Sequence, residues 1–375
     1  MTPSRRPAPA GGGAGSLAGA DVVVVGAGPA GAAAAIWCAR QRLRVVLVDR
    51  APGPVERPGE SLHPGVDPPL AQLGVAERVR VAGFPRHRGH WVDWDAPAAF
   101  AAYGADAAGP WEGCQAHRAT LDAILVQRAA EVGVDVRRPL RPVRPLLQAG
   151  RVAGVDTPEG ALRAAVVVDA SGGGHWLARR LGLAVVRCSP RLVARYGYAR
   201  GRLPQRDDAP ALRADSTGWT WTARVAPGRY HWTRLALHPG PDAAAVPEEL
   251  RGLAHEAAAR GADVTWRLVP GCAGPGYFLA GDAAAVLDPA CSHGVLRALL
   301  SGMYAAHLIA RVGADPSRQG VAASAYRTWM RRWFHHDAAA LRKMYATLPC
   351  PPGWVLDGGT STSDVPNNSA VEVLP

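Results

Sequence analysis

The segment VVVVGAGPAGAAAAIWCAR (22–40) is uncharged up to its last residue and carries Gly26, Gly28, Pro29 and Gly31 near its centre. An apolar run of this length approaches what a bilayer-spanning helix needs. The glycines and the proline instead divide it into a buried strand, a tight turn and a small-residue helix. Glycine at 26 permits a sharp turn, at 28 a close approach of a pyrophosphate to the backbone, and at 31 close packing of the helix that contains Ala30. The free N–H groups at the helix start then hold the phosphates. The next apolar strand, RVVLVDR, ends in Asp49-Arg50, with Asp49 23 positions beyond Gly26. That spacing puts a carboxylate beside the ribose hydroxyls of a dinucleotide.

A chain of 375 residues with 48% hydrophobic content can bury a large core and predicts two connected domains. The formal charge of +11 comes from 42 Lys and Arg residues, of which Lys343 is the single lysine. The arginines are scattered, and no clustered basic and aromatic segment marks a nucleic-acid partner. An arginine bias this strong reflects base composition first; beyond that, phosphorylated cofactors or an acidic protein partner fit the charge better than nucleic acid. The six cysteines show no C-x-x-C pair and no metal-ligand spacing, so they read as free thiols in a reducing cytosol, with no metal. Residues 1–20 are rich in Pro, Gly and Ala and are expected to be disordered. Arg5-Arg6 is not followed by an apolar stretch, which favours a cytoplasmic location over export, with no membrane span.

The expected organisation is α/β. A three-layer Rossmann-like nucleotide domain takes in 21–85, 115–183 and 270–312, and an inserted antiparallel sheet of 86–114 and 184–269 forms a substrate domain. A C-terminal helix over 313–348 and a surface tail over 349–375 follow. GWTWTARVAPGRYHWTRLAL predicts a hairpin about Pro227-Gly228.

Three separated segments, GAGPAG with Asp49, VVVDASG (166–172) and YFLAGDAAAVLDP (277–289), together resemble a flavoprotein monooxygenase of the glutathione-reductase-like FAD fold. GESLHPG (59–65) and Arg118 in HRATLD are similar to the branch that contains flavin-dependent halogenases and geranylgeranyl reductases. The resemblance implies FAD as cofactor. It implies contacts from Gly26, Gly28, Ala30, Gly31, Asp49, Arg50, Ser61, Arg118, Asp169, Gly172, Gly281, Asp282, Pro289 and Gly294. The helix after the Pro loop would point at the flavin ring, where its N-terminus stabilises negative charge.

Departures from the halogenase pattern shape the expected chemistry. A halogenase encloses a lysine that captures hypohalous acid, and no lysine precedes position 343. The Pro loop, which in halogenases ends in hydroxyl residues beside the halide, reads Cys291-Ser292-His293-Gly294. GESLHPGV, GWTWTARV, DVTWRLVP and the Pro loop look closest to flavoproteins that hydroxylate a tryptophan during maturation of quinone-cofactor enzymes. The resemblance therefore implies a monooxygenase acting through a flavin C4a-hydroperoxide on an aromatic substrate, an indole or a tryptophan held in a peptide or partner protein. NAD(P)H, or reduced flavin from a separate flavin reductase, would supply electrons. Isoprenoid reduction, halogenation and a non-catalytic maturation role are the alternatives.

His293 is the candidate acid at the flavin, with helix capping as its other role. His63 is a second candidate, and Glu60 fixes the loop. Asp288 reads as structural. Twelve tryptophans against four phenylalanines can wall an aromatic chamber from Trp91, Trp94, Trp219, Trp221 and Trp232, although for each ring taken singly a place in the core is the stronger expectation.

Overall fold

The computed structural model describes residues 19–58, 61–238, 246–313 and 315–356. Most of the N-terminal tail, and Glu60, lie outside the described residues. Val22 to Val25 form the centre of strand Ala20–Val25 and are at most 3% exposed. This strand lies parallel between Val45–Val48 (Val23 against Val46) and Gly160–Asp169 (Val23 against Val167). Both faces of such a strand are covered, which is why its sequence is apolar without alternation. Asp135–Arg137 adds a further parallel strand beyond Val45–Val48. Gly160–Asp169 changes partner along its length: its first half pairs antiparallel with Arg151–Thr157, its second half parallel with Tyr277–Leu279.

Eight helices are described: α1 Pro29–Arg40, α2 Asp67–Leu73, α3 Ala76–Val81, α4 Arg118–Glu131, α5 Trp176–Arg180, α6 Gly294–Val312, α7 Pro316–Ala346 and α8 Gly353–Leu356. α1 and α6 approach so closely that a methyl on Gly302 would collide with the Ala30 carbonyl. α6 is long and apolar enough to cross a membrane by composition, yet Leu299, Ala305 and Ala306 are fully buried here.

The second sheet runs Val193–Arg200, Arg229–Ala236, Gly218–Ala226 and Ala211–Asp215, all antiparallel. Gly89–Asp93 then joins parallel to Ala211–Asp215, and Ala99–Ala102 joins antiparallel beyond it. Arg86–His87 and Gly113–Gln115, expected with this sheet, instead form a three-stranded ribbon with Ser61–Leu62. Residue 113 must be glycine for that pairing, because a Cβ there would press on the Leu62 carbonyl oxygen. The ribbon brings the loop after position 60 against the second sheet.

Two expectations fail. The tail expected from 349 is not free over 353–356, since the Trp354 ring meets Trp266 edge-on at 5.1 Å and Arg342 lies 5.6 Å from each ring. The tryptophans do not form one chamber either. Trp232 pairs in register with Thr222, so it faces away from Trp219 and Trp221 and packs with Tyr230, Leu203 and Leu250. Trp219 is 1% exposed and donates to Tyr345 Oη at 2.7 Å, while Trp94 stacks on the same tyrosine. Trp91 is exposed. Trp221 alone of the five is half-buried beside the ribbon.

Candidate active site

At the C-terminal edge of the parallel sheet, Gly26 adopts φ 101°, a left-handed conformation that favours glycine. A methyl there would strike the Ala170 carbonyl, and one on Gly31 would strike the Gly26 carbonyl. Gly28 differs: a Cβ built on it meets no atom within 4 Å. It is the N-cap of α1 and brings no side chain to the first turn, so the N–H groups of that turn face an open cradle. A pyrophosphate fits such a cradle in shape and in charge.

Asp49 closes the turn. Its Oδ2 accepts from Ala27 N at 2.7 Å and its Oδ1 from Ala51 N at 2.7 Å. A carboxylate accepts about four hydrogen bonds, which leaves both oxygens capacity for ribose hydroxyls. Arg50 beside it is exposed. Arg118 opens α4, donates to Pro58 O at 3.3 Å and pairs with Asp122 at 3.4 Å, while its Nε is buried without a partner. An orphaned guanidinium donor suits an anionic or carbonyl ligand atom.

Asp169 is tied into the fold. It is fully buried, its Oδ1 accepts from Ser171 N and its Oδ2 from Leu177 N, and burial pushes its carboxyl upward. It thereby fixes the turn that backs onto Gly26. Gly172, at φ 89°, and Gly294 have open space where a Cβ would stand. Gly281 N donates to Ser301 Oγ at 2.9 Å, which anchors the turn that leaves Asp282 exposed. Pro289 is exposed and follows Asp288.

Asp288 is 0% exposed and accepts from Trp266 Nε1 at 2.6 Å, Tyr345 Oη at 2.8 Å and Ala290 N at 3.0 Å. Burial pushes it up to about 6 against those donors. It holds the Pro loop to Tyr345 of α7 and to Trp266.

The loop delivers His293 to within 5.8 Å of His63, ring centre to ring centre, nearly perpendicular. His63 Nδ1 accepts from Gly65 N at 3.0 Å, and burial followed by the neighbouring His293 lowers its pKa. The Tyr103 ring lies 5.2 Å from His63, and His90 lies 5.8 Å from Tyr103 and 5.6 Å from Trp221. Burial pushes the Tyr103 hydroxyl up to about 12, so it stays protonated.

The Ser61 hydroxyl is engaged within the protein. It accepts from Trp221 Nε1 at 2.8 Å and donates to Gln115 Oε1 at 2.7 Å. Gln115 Nε2 in turn donates to His87 Nε2 at 2.9 Å, and His87 Nδ1 donates to Gly89 O at 3.1 Å. Tyr103, His90, His87 and Gln115 escaped sequence reasoning. The only signal was the close spacing of His87 and His90 in RHRGHW, and nothing local ties that segment to the Pro loop. Among the described residues, no group of three or more His, Cys, Asp or Glu side chains has metal-holding geometry.

A family model described as FAD dependent oxidoreductase matches residues 21–185. The chain is 30% identical over 364 residues to the menaquinone reductase of Mycolicibacterium smegmatis, covering 88% of this chain and 85% of that one. It is 28% identical over 341 residues to the 1H-pyrrole-2-carbonyl-[peptidyl-carrier protein] brominase of Pseudoalteromonas luteoviolacea, covering 82% and 81%. The peptidyl tryptophan dihydroxylase QhpG superposes with a TM-score of 0.69 at 22% identity, covering 92% and 80%, a likeness of fold. The cradle, the turn at Asp49 and these relatives agree: the chain belongs to the FAD-dependent oxidoreductase family, and FAD is its cofactor.

Proposed function

We propose that this protein is a flavin-dependent monooxygenase that hydroxylates an indole, as tryptophan in a peptide or partner protein. The observation that carries the reading is the pairing of His63 and His293 at 5.8 Å, bordered by Tyr103, His90 and Trp221. Reduced FAD with dioxygen supplies an electrophilic oxygen and two electrons. That chemistry would exchange a ring C–H bond for C–O and release the other oxygen as water. His293 would give a proton to that water and His63 would help replace it. Trp221 and Tyr103 offer flat faces for an offset-stacked ring. NAD(P)H, or a partner reductase, is the proposed source of electrons.

Halogenation is the reading favoured by the brominase relative. Against it, the chain's single lysine, Lys343, is exposed on α7 rather than enclosed. Reduction of an isoprenoid, favoured by the menaquinone reductase relative, needs no dioxygen. Holoenzyme reduced without oxygen, then mixed with dioxygen and tryptophan-containing peptides or free indole, separates these readings. The expected product carries added oxygen on the indole. Turnover of a polyprenyl quinone under strict anaerobiosis, with no oxygenated indole in air, overturns the proposal.

A further inference from the structure

Asp337, near the C-terminal third of α7, is 4% exposed and lies across from the start of α6. Its Oδ1 is 3.5 Å from His293 Nδ1 and its Oδ2 is 3.7 Å from Arg297 Nε. Neither contact has hydrogen-bond geometry: His293 Nδ1, Arg297 Nε and Nη1, and Asp337 Oδ2 are all buried without a hydrogen-bond partner. Buried polar atoms left unpaired are costly and rare, and here four of them converge at one spot. Arg297 Nη2 also donates to Cys291 Sγ at 3.3 Å, so the guanidinium ties the Pro loop, α6 and α7 together.

We infer that Asp337 is the positioning residue for His293, accepting the Nδ1 proton and leaving Nε2 as the nitrogen that exchanges a proton at the flavin side. The inference rests on the proposed role of His293. A carboxylate that holds one imidazole nitrogen fixes both the tautomer and the ring plane. Arg297 supplies the positive charge that lets Asp337 remain buried. A closer approach of α7 and the Pro loop by about 0.5–0.7 Å brings both contacts to about 3 Å and pairs His293 Nδ1, Arg297 Nε and Asp337 Oδ2. Because α7 also carries Tyr345, which donates to Asp288 at the start of the loop, one helix sets both ends of the segment.

The test is nitrogen-15 NMR of histidine-labelled, FAD-loaded protein, with the His293 signal assigned by its loss in His293→Ala. In the wild type Nδ1 is expected to carry a proton, and in Asp337→Asn that preference is expected to be lost. A wild-type signal with bare Nδ1 and protonated Nε2 overturns the inference without any variant having to fold. Turnover adds a second arm: Asp337→Asn is expected to lower kcat about 10- to 100-fold at unchanged FAD content, and to have no further effect in a His293→Ala background. Equal losses in both backgrounds overturn the inference, because the residue then acts independently of His293. Full product yield from His293→Ala overturns the catalytic role of that histidine, whereas the tautomer measurement needs no turnover and tests Asp337 on its own.

Discussion

Trp221 donates its indole N–H to Ser61 Oγ at 2.8 Å, across the seam between the second sheet and the ribbon after position 60. This bond starts a chain with a single sense: Ser61 donates to Gln115, Gln115 to His87, and His87 to Gly89 O. Replacing Trp221 by Phe keeps a ring face and removes the first donor. Loss of a net hydrogen bond of about 1 kcal/mol corresponds to about a five-fold effect. Trp221→Phe is therefore expected to raise KM for the aromatic substrate by about that factor while FAD content stays unchanged. Steady-state kinetics with flavin absorbance checks both, and loss of FAD would show that the seam supports the cofactor instead.

The chain also fixes the charge state of His87. Its Nε2 must accept from Gln115, so only the neutral ring fits, and burial lowers its pKa to about 4. Because the folded-state value lies below the usual 6.5, the unfolded chain binds the extra proton between these values. Stability is then full above about pH 6.5 and falls as pH drops toward 4, by on the order of 3 kcal/mol. Urea melts from pH 7.5 to 4.5 are expected to show the wild type losing more stability than His87→Gln. Parallel losses in the two proteins would contradict the assignment.

The nucleotide turn was legible because its constraints are local. Gly31 and Asp49 act on atoms within one strand-turn-helix-strand unit, Gly26 is marked by the turn it makes, and the uniformly apolar strands announce a sheet covered on both faces. The candidate site was legible in its Pro loop and in the loop after position 60, but not as one place. His63 and His293 are 230 positions apart, and their meeting depends on a ribbon of two- and three-residue strands too short to carry a periodic signal. The shared chamber failed for a related reason, while the core reading held for Trp94, Trp219 and Trp232: composition counts rings, whereas strand register decides which face each ring occupies, and Trp232 falls on the far one. Asp169 stood among the contacts that the resemblance implies, yet it is fully buried and its oxygens accept from Ser171 N and Leu177 N. Gly302 carried no sequence mark at all, since only the crossing of α1 and α6 reveals what a side chain there would strike.

Gly28 and Gly31 should separate binding from folding. Gly28→Ala places a methyl in the open cradle without touching protein, so the apo fold is expected to melt unchanged and FAD affinity to fall at least about ten-fold. Gly31→Ala drives a methyl into the Gly26 carbonyl, and overpacking of this kind costs about 1–3 kcal/mol or more. Calorimetry of the apo proteins and flavin titration distinguish the two. Tight FAD binding by Gly28→Ala would place the pyrophosphate elsewhere.

Gly302→Ala is expected to force α1 and α6 apart at Ala30, lowering stability by about 1–3 kcal/mol. Denaturant midpoints read this directly, and an unchanged midpoint would mean that the two helices separate freely.

The most direct measurement gives the reduced holoenzyme heavy-isotope dioxygen, a tryptophan-containing peptide and excess bromide in one reaction, and weighs the product. Hydroxylation is expected to add heavy oxygen to the indole, with bromide leaving the yield untouched. An indole that gains bromine and no heavy oxygen contradicts the assignment of this protein as a monooxygenase.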